Sequence, residues 1–311
     1  MPRRASIPAR LLALAALVLV PSFAWAAPVG AGLPWWAWPL LLFLTTFVLG
    51  IVAVVGGIGG GVLFVPIVGG LFPFHLDFVR GAGLMLALCG SLAAGPGLLR
   101  SGLASLRLAM PLALVGSVGS IFGALLGLSL PTRVLQVALG VTVLLIAWLM
   151  WATRRARHSD TKPADAWALA LGLHGAYHDP AAGHEVAWRA HRTPAGLAAF
   201  AGIGLVGGLF GLGAGWANVP ALNLLMGVPL KLAVGTSGIA ISIINTSAAW
   251  VYLNEGAFLP IMLVPSILGV MLGARVGVRL LKAVRPATAR NVVIVVLLVA
   301  GLRSLLQGLE I

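Results

Sequence analysis

The sequence predicts an all-α polytopic membrane protein with about eight transmembrane helices, in two four-helix repeats with glycine-rich broken helices and a small soluble β-hairpin loop. Three observations predict this fold. Of the 311 residues, 60% are hydrophobic and 9% are charged, and the mean hydropathy is +1.07. Long stretches without a charged residue recur along the chain, and glycine and proline positions recur at a fixed offset. The composition excludes a water-soluble globular enzyme, because soluble domains are about 45–50% apolar and about 25% charged.

Residues 1–27 form a separate unit at the start of the chain. Three arginines among the first ten residues precede the apolar run 11–20, and the small-x-small triplet Ala24-Trp25-Ala26 follows it. This order is typical of a secretory signal peptide that is cleaved after Ala26. The alternative is an extra N-terminal span, because residues 11–27 approach the minimum length for crossing a membrane.

The remaining membrane segments are indicated by stretches without Asp, Glu, Lys or Arg. These stretches are 38–76, 81–99, 108–132, 134–153, 193–230, 232–254, 256–274 and 291–302. A helix needs about 20 apolar residues to cross about 30 Å of hydrocarbon, so the first and fifth stretches are too long for one straight crossing. Each contains a glycine cluster, GGIGGG at 56–61 and GLFGLGAG at 208–215. Both are therefore predicted to be helices broken in mid-membrane.

Glycine and proline positions repeat without a gap at an offset of 154 residues. Aligned in this way are Gly57, Gly59, Gly61 and Pro66 with Gly211, Gly213, Gly215 and Pro220. Two repeats follow, at 38–153 and 193–308. An even number of spans in each predicts that the halves run parallel, related by an axis along the membrane normal. Two glycine pairs spaced by four, Gly119/Gly123 and Gly273/Gly277, predict close helix packing.

The segment 154–192 between the repeats is rich in charge and histidine and is predicted to lie in water. Apolar and polar residues alternate around DPAAG, which predicts a β-hairpin. As an addition to the repeats, the segment is expected to tolerate replacement by a Gly/Ser linker without loss of the spans or of activity. The histidines of the segment leave a transition-metal cation transporter as an alternative. They are His158, His174, His178, His184 and His191.

The candidate substrate site lies where the two breaks are expected to meet. Secondary transporters commonly hold substrate near the bilayer midplane between repeats, and helix breaks leave backbone amides free to bind an anion. Polar side chains inside apolar segments add donors, because each costs free energy in lipid unless it faces a partner or a water-filled path. No Asp or Glu lies inside a predicted span, which favours an oxyanion over a cation. The candidate residues are Gly57, Gly59, Gly60, Gly61, Pro66, Ser91, Gly211, Gly213, Gly215, Asn218, Pro220, Thr236, Ser237, Asn245 and Ser247.

Two other features have a simpler interpretation. Arg80 and Lys231 stand just before the aligned Gly81 and Gly235, and we interpret them as side chains that snorkel to the membrane interface, with attraction of an anion as the alternative. GTSG at 235–238 matches the motif of intramembrane rhomboid proteases, but no histidine follows Ser237 to activate it. An intramembrane serine protease is therefore the less favoured alternative. We expect no enzyme activity, catalytic residue, cofactor or resident metal.

Two segments carry a resemblance to a known family. GGIGGGVLFVPIV at 56–68 and GLFGLGAGWANVPALNLLMGVPLKLAVGTSG at 208–238 resemble the sulfite exporter TauE/SafE family, also called the toluene sulfonate uptake permease group. Residues 173–192 are similar to an insertion in one branch of it. The resemblance covers residues 38–306 and implies a multi-pass permease of a bacterial inner membrane for sulfite, sulfoacetate, sulfonates or other small organic anions.

The partners implied are a small anionic substrate and the lipid bilayer. The net charge of +13 comes mostly from residues that flank apolar segments, so it is attributed to membrane-flanking charge and not to nucleic acid. A homo-oligomer is compatible with the sequence.

Overall fold

The structure of the protein, a computed structural model, describes residues 34–56, 60–100, 102–153, 163–179, 184–281 and 286–309. The predicted signal peptide or extra span, 1–27, lies outside these residues. The described helices are α1 (Ala37–Gly56), α2 (Gly60–Leu71), α3 (Leu76–Arg100), α4 (Leu106–Ser129), α5 (Thr132–Ala152), α6 (Ala166–Ala170), α7 (Thr193–Phe210), α8 (Leu230–Asn254), α9 (Pro260–Leu281) and α10 (Pro286–Leu309). Between α7 and α8 lie a 3₁₀ turn (Ala214–Trp216), one α-helical turn (Asn218–Pro220) and a π-helical turn (Ala221–Leu225).

Five of the described helices are long and apolar enough to cross a membrane, namely α4, α5, α7, α8 and the part of α9 over Pro260–Gly277. Three further apolar helices in the described ranges are shorter, at Ala37–Ala53, Gly61–Leu71 and Val293–Leu309. Large apolar side chains also face outward, among them Phe122 on α4 and Trp148 on α5. The prediction of an all-α polytopic membrane protein is confirmed.

The helices pack through glycines that allow their backbones to touch. A Cβ on Gly119 or Gly123 of α4 would overlap the carbonyl oxygens of Ala201 and Leu205 on α7. Likewise, a Cβ on Gly273 of α9 would overlap Phe47 on α1. The close packing predicted from the four-residue glycine spacing is confirmed at these three glycines. In each pair of helices, later residues of one helix contact later residues of the other. Therefore α4 runs parallel to α7, and α1 runs parallel to α9.

Equivalent helices of the two halves run in opposite directions. Gly81, near the start of α3, contacts Ala257 just past the end of α8, and Gly235, near the start of α8, contacts Leu103 just past the end of α3. In the same way Gly140 of α5 faces Leu305 of α10, whereas later residues of α5 face earlier residues of α10. The prediction of parallel halves is therefore wrong, because an axis along the membrane normal would make equivalent helices parallel. The halves are inverted.

The reason for the inversion is that the chain reverses direction between α1 and α2 and again after α7. The ring of Phe72, just past α2, makes a T-shaped contact with the ring of Trp38 near the start of α1, and the two ring centroids are 6.1 Å apart. In the second half, the backbone N–H of His191 donates to Met226 O at 3.0 Å, so residues 214–226 return to the start of α7. The helices break at both clusters as predicted, but each break forms a hairpin. Each half therefore has five helical segments, because its hairpin contributes two. An odd number of segments places the second repeat upside down relative to the first.

The extramembrane segment contains the predicted β-hairpin and is packed on the helices. Strands β1 (His174–Asp179) and β2 (His184–Arg189) pair antiparallel, with Gly175 opposite Trp188. Tyr177 and Trp188 are buried in one apolar cluster with Leu108 of α4 and Met226. The hairpin is therefore packed on the helices and is not a freely solvated addition. The expected tolerance of a flexible linker in its place stays a prediction.

Asp165 attaches this segment to the second half. Its carboxylate accepts hydrogen bonds from Ala168 N at 2.7 Å, from Thr193 N at 2.6 Å and from Thr193 Oγ1 at 2.8 Å. It therefore caps α6 and also the first residue of α7. Burial opposes the charged form, but the hydrogen bonds from Ala168 and Thr193 and the nearby His191 hold the pKa of Asp165 below its usual value.

Candidate functional site

The tip of the second hairpin, residues 211–217, lies against the first half of the protein. A Cβ on Gly61 would stand 2.7 Å from Gly83 O and 2.8 Å from Leu212 O, and one on Gly83 would stand 2.5 Å from Gly211 O. The start of α2, the first third of α3 and the second tip are therefore in backbone contact. The two breaks meet inside the helix bundle, as expected from the sequence.

Glycine is required at two positions of this tip. Gly211 has φ +69° and ends α7, and Gly213 has φ +70° and ψ 164°, a conformation that side chains with a Cβ rarely adopt. A Cβ on Gly213 would also stand 2.9 Å from Ala87 Cβ and 3.0 Å from Asn245 Nδ2. The turn thus holds bare backbone beside a polar side chain of α8.

Two asparagines at this turn are fully buried. Asn218 is 0% exposed and Asn245 is 1% exposed. Within the part of the chain that the structure describes, neither the oxygen nor the nitrogen of either carboxamide has a hydrogen-bond partner, and the same is true of Trp216 Nε1. An unmet buried polar group costs about 1–3 kcal/mol. We call Asn218 and Asn245 the amide pair; together with Trp216 they form the candidate binding site.

Three hydroxyls of the predicted site make hydrogen bonds to the protein backbone, two within their own helices and one between α8 and the residues before α4. Ser91 Oγ donates to Leu88 O at 2.9 Å, and Ser247 Oγ donates to Ile243 O at 3.2 Å. Thr236 Oγ1 accepts from Ser105 N at 3.1 Å, next to the start of α4. These bonds serve the helices, and the assignment of the three residues to a substrate site stays a prediction.

The remaining candidates are spread along the elements around the tip. Pro66 is buried inside α2, and Ser237 is buried on α8, two residues from the contact of Gly235 with Leu103. Three further candidates lie at element starts, ends or turns, and two lie outside the described residues. Gly60 begins α2, Gly215 lies in the 3₁₀ turn, Pro220 ends the α-helical turn, and Gly57 and Gly59 lie outside the described residues.

Arg80 braces the tip from the first half. Its side chain is 0% exposed, so the interpretation that it snorkels to the interface is wrong. Nη1 donates to Leu209 O at 2.9 Å, and Nη2 donates to Gly127 O at 3.1 Å and to the carboxylate of Asp77. The two carbonyls lie at the C-terminal ends of α7 and α4, where a cation is favourable. The guanidinium therefore holds two helix ends together beside Gly211. Lys231, by contrast, is exposed.

Sequence reasoning missed two aromatic residues at this place. Tyr252 of α8 has its ring 5.7 Å from the Arg80 guanidinium and donates its hydroxyl to Gly208 O at 3.0 Å. Trp216 lies in the 3₁₀ turn with its indole nitrogen buried. A signal existed for Trp216, since a tryptophan directly after a glycine cluster and far from a predicted membrane interface departs from the usual aromatic belt.

The described residues offer no group of three His, Cys, Asp or Glu side chains that would hold a metal ion. His174 of β1 lies opposite Arg189 in the strand register. The alternative of transition-metal transport thus gains no support from the described part of the protein.

Comparison with known proteins points to transport. A family model described as sulfite exporter TauE/SafE matches residues 41–304. Over 119 residues the chain is 26% identical to the probable membrane transporter protein YunE of Bacillus subtilis (strain 168), and this segment is 38% of the chain and 44% of that protein. The match therefore spans less than half of YunE. No solved structure matches the chain.

Proposed function

The chain belongs to the sulfite exporter TauE/SafE family, and from that premise we propose that it is a secondary transporter of a small anion in a bacterial inner membrane. The family and the probable transporter YunE make it a multi-pass membrane transporter. Sulfite, a sulfonate or another small organic or sulfur oxyanion is the proposed substrate class. The proposed binding place is the amide pair, between the two inverted halves.

The observation that carries the proposal is the burial of the amide pair beside a glycine turn. The Nδ2 groups of Asn218 and Asn245 and the Nε1 group of Trp216 supply neutral N–H donors. Donors in a region of low dielectric bind an anion more strongly than they do in water. Neutral donors also allow release, because no opposite charge traps the anion. Such a site can bind the anion and then release it, as transport requires.

The surrounding geometry supports an occluded state. The amide pair is closed from solvent on all sides, and the backbones around it touch through Gly61, Gly83 and Gly211. Inverted repeats that rock around a fixed midplane site give alternating access. Contacts between glycine backbones have no side chains that interlock. We therefore propose that the second tip slides along α2 and α3 when the site opens.

The test is transport by purified protein in proteoliposomes. Labelled sulfite and sulfoacetate are loaded on one side, and their movement down a gradient is compared with that in protein-free vesicles. We expect transport that Asn245→Leu reduces strongly and Ser242→Ala leaves nearly intact, because the Ser242 hydroxyl already has a partner on its own helix. Folded protein that moves neither anion, nor any competitor from a panel of small oxyanions, would refute the proposal.

A further inference from the structure

We infer that the substrate itself carries a hydrogen-bond donor, such as the O–H of a hydrogen oxyanion or the hydroxyl of a hydroxysulfonate. This inference rests on the proposed function and narrows its substrate class. It follows from the chemistry of the amide pair, Asn218 and Asn245. Each carboxamide has two N–H donors and one carbonyl acceptor.

The acceptors are as deeply buried as the donors. Asn218 Oδ1 and Asn245 Oδ1 have no hydrogen-bond partner among the described residues, just as the two Nδ2 atoms have none. Turning either amide by 180° exchanges the positions of oxygen and nitrogen but removes neither. Any ligand that contacts either carboxamide therefore meets a buried carbonyl oxygen as well as N–H groups.

A fully deprotonated oxyanion satisfies only part of this site. It accepts from the N–H groups but offers nothing to the carbonyls, which would stay buried and unpaired at a cost of about 1–3 kcal/mol each. A ligand with one O–H donates to a carbonyl and accepts from the N–H groups at once. The site is thus matched to an anion of mixed donor and acceptor character.

Charge favours the same conclusion. The cationic side chain that touches the tip, Arg80, points its guanidinium at Asp77 and at the carbonyls of Gly127 and Leu209. Burying a second negative charge without a paired cation is far more costly than burying one. A monoanion that keeps a proton fits the amide pair better than a dianion does.

The experiment compares two sulfonates of equal charge and nearly equal size, 2-hydroxyethanesulfonate and 1-propanesulfonate. They differ by a hydroxyl in place of a methyl group. Binding is measured by titration calorimetry on the purified full chain in detergent, and transport by competition in proteoliposomes. We expect the hydroxysulfonate to bind at least about ten-fold more tightly, the equivalent of one unmet buried acceptor. Sulfite itself should bind as its hydrogen form, with affinity falling about ten-fold per pH unit above its second pKa, while hydroxysulfonate affinity stays level.

The variants identify the groups responsible. Asn218→Leu and Asn245→Leu should each reduce the preference for the hydroxysulfonate, whereas Ser242→Ala, with its hydroxyl already bonded within α8, should retain it. Equal binding of the two sulfonates, with the Asn variants weakening both alike, would overturn the inference and leave anion transport standing. Failure of protein with an unchanged thermal transition to bind either sulfonate or sulfite would overturn the proposed function and the inference together.

Discussion

The two hairpins share a backbone plan but differ in chemistry. At the offset of 154 residues, Asn218 stands where the first hairpin has Phe64, and Trp216 stands where it has Val62. Phe64 and Val62 are both 0% exposed and belong to the apolar core. Both repeats thus have a helix–break–helix unit at equivalent positions, and the polar side chains that we propose for binding follow the break in the second repeat. In the proposed site, the N–H donors come from the second half.

The returning arms of the two hairpins also differ in helix type. α2 is a continuous α-helix over Gly60–Leu71, whereas its counterpart passes through 3₁₀, α and π turns over Ala214–Leu225. A regular helix satisfies its own backbone and packs side chains uniformly. Short π-helical segments are rare in proteins overall, but those that occur often lie at functional sites. The irregular arm is the one that presents the buried asparagine and tryptophan.

A third difference concerns charge. Arg80 and Asp77 of α3 correspond by offset to Val234 and Lys231 of α8, and Val234 is exposed. Arg80 binds carbonyls at the ends of α4 and α7, so the first half provides the brace that holds the second tip. In our proposal the second half binds the substrate, and the first half holds the second tip in place.

The largest effect is expected at the turn itself. Gly213→Leu should abolish transport, because a Cβ is strained at φ +70° and would collide with Ala87. The same change at Gly59, its counterpart by offset, tests whether the first turn is equally demanding, and we expect the same loss. Transport is measured in proteoliposomes and insertion by membrane extraction and size-exclusion chromatography. The matched control is Gly202→Ala on α7, where no described atom lies within 4 Å of the added Cβ; full activity of Gly213→Leu would mean that the tip only packs.

The next largest effect is expected at the brace. Arg80→Met should lower stability by about 1.5–3 kcal/mol, since it leaves two helix-end carbonyls without their donor and the partly exposed Asp77 without its cation. Thermal unfolding in detergent measures the loss, with Arg275→Met, at an exposed position of α9, as the control. If both variants unfold at the same temperature, the brace contributes nothing and the division of labour between the halves is wrong.

A smaller effect is expected at the amide pair, where the comparison of the two halves is sharpest. Asn245 and Ser91 occupy equivalent positions of α8 and α3. Asn245→Leu should weaken substrate affinity by about ten- to a hundred-fold, from about 1–3 kcal/mol of lost hydrogen bonding, with little loss of thermal stability. Ser91→Ala should change affinity less than two-fold, or about 0.4 kcal/mol. Equal losses in both variants would mean that both halves bind substrate.

The smallest effect is expected where Asp165 attaches the extramembrane segment to the second hairpin. Because the pKa of Asp165 is lowered in the folded protein, its carboxylate stabilises the fold fully above its usual pKa and loses this contribution as pH falls through the lowered value. Asp165→Asn should cost about 0.5–2 kcal/mol at neutral pH, as for other helix caps, and should flatten this acid response. Limited proteolysis of residues 163–192, carried out between neutral pH and pH about 3, measures the loss of stability and its acid response. Glu185→Gln on β2 is the control. An acid response in Asp165→Asn equal to that of the unchanged protein would refute the role given to the Asp165 carboxylate.

The sequence by itself determined the membrane class, the two glycine breaks, the 154-residue offset, the β-hairpin and the position of the amide pair within the second repeat. These features are local, since hydropathy, turn residues and strand alternation act over a few to about 20 residues. The candidate residues Gly61, Gly211, Gly213 and Asn245 follow from such local signals, and the structure brings them to one place. Asn218 is buried one residue past the tip.

The tertiary structure alone decided the direction of the repeats and the fate of each polar side chain. Whether a glycine cluster kinks a helix or reverses it depends on what the returning arm packs against, and this set the inverted arrangement. Arg80 is buried because carbonyls 47 and 129 residues away converge on it. The Ser91 hydroxyl bonds within its own helix, whereas the Asn245 side chain lies beside Gly213, 32 residues earlier in the chain. Such contacts join residues far apart in sequence, so hydropathy and spacing carry no record of them.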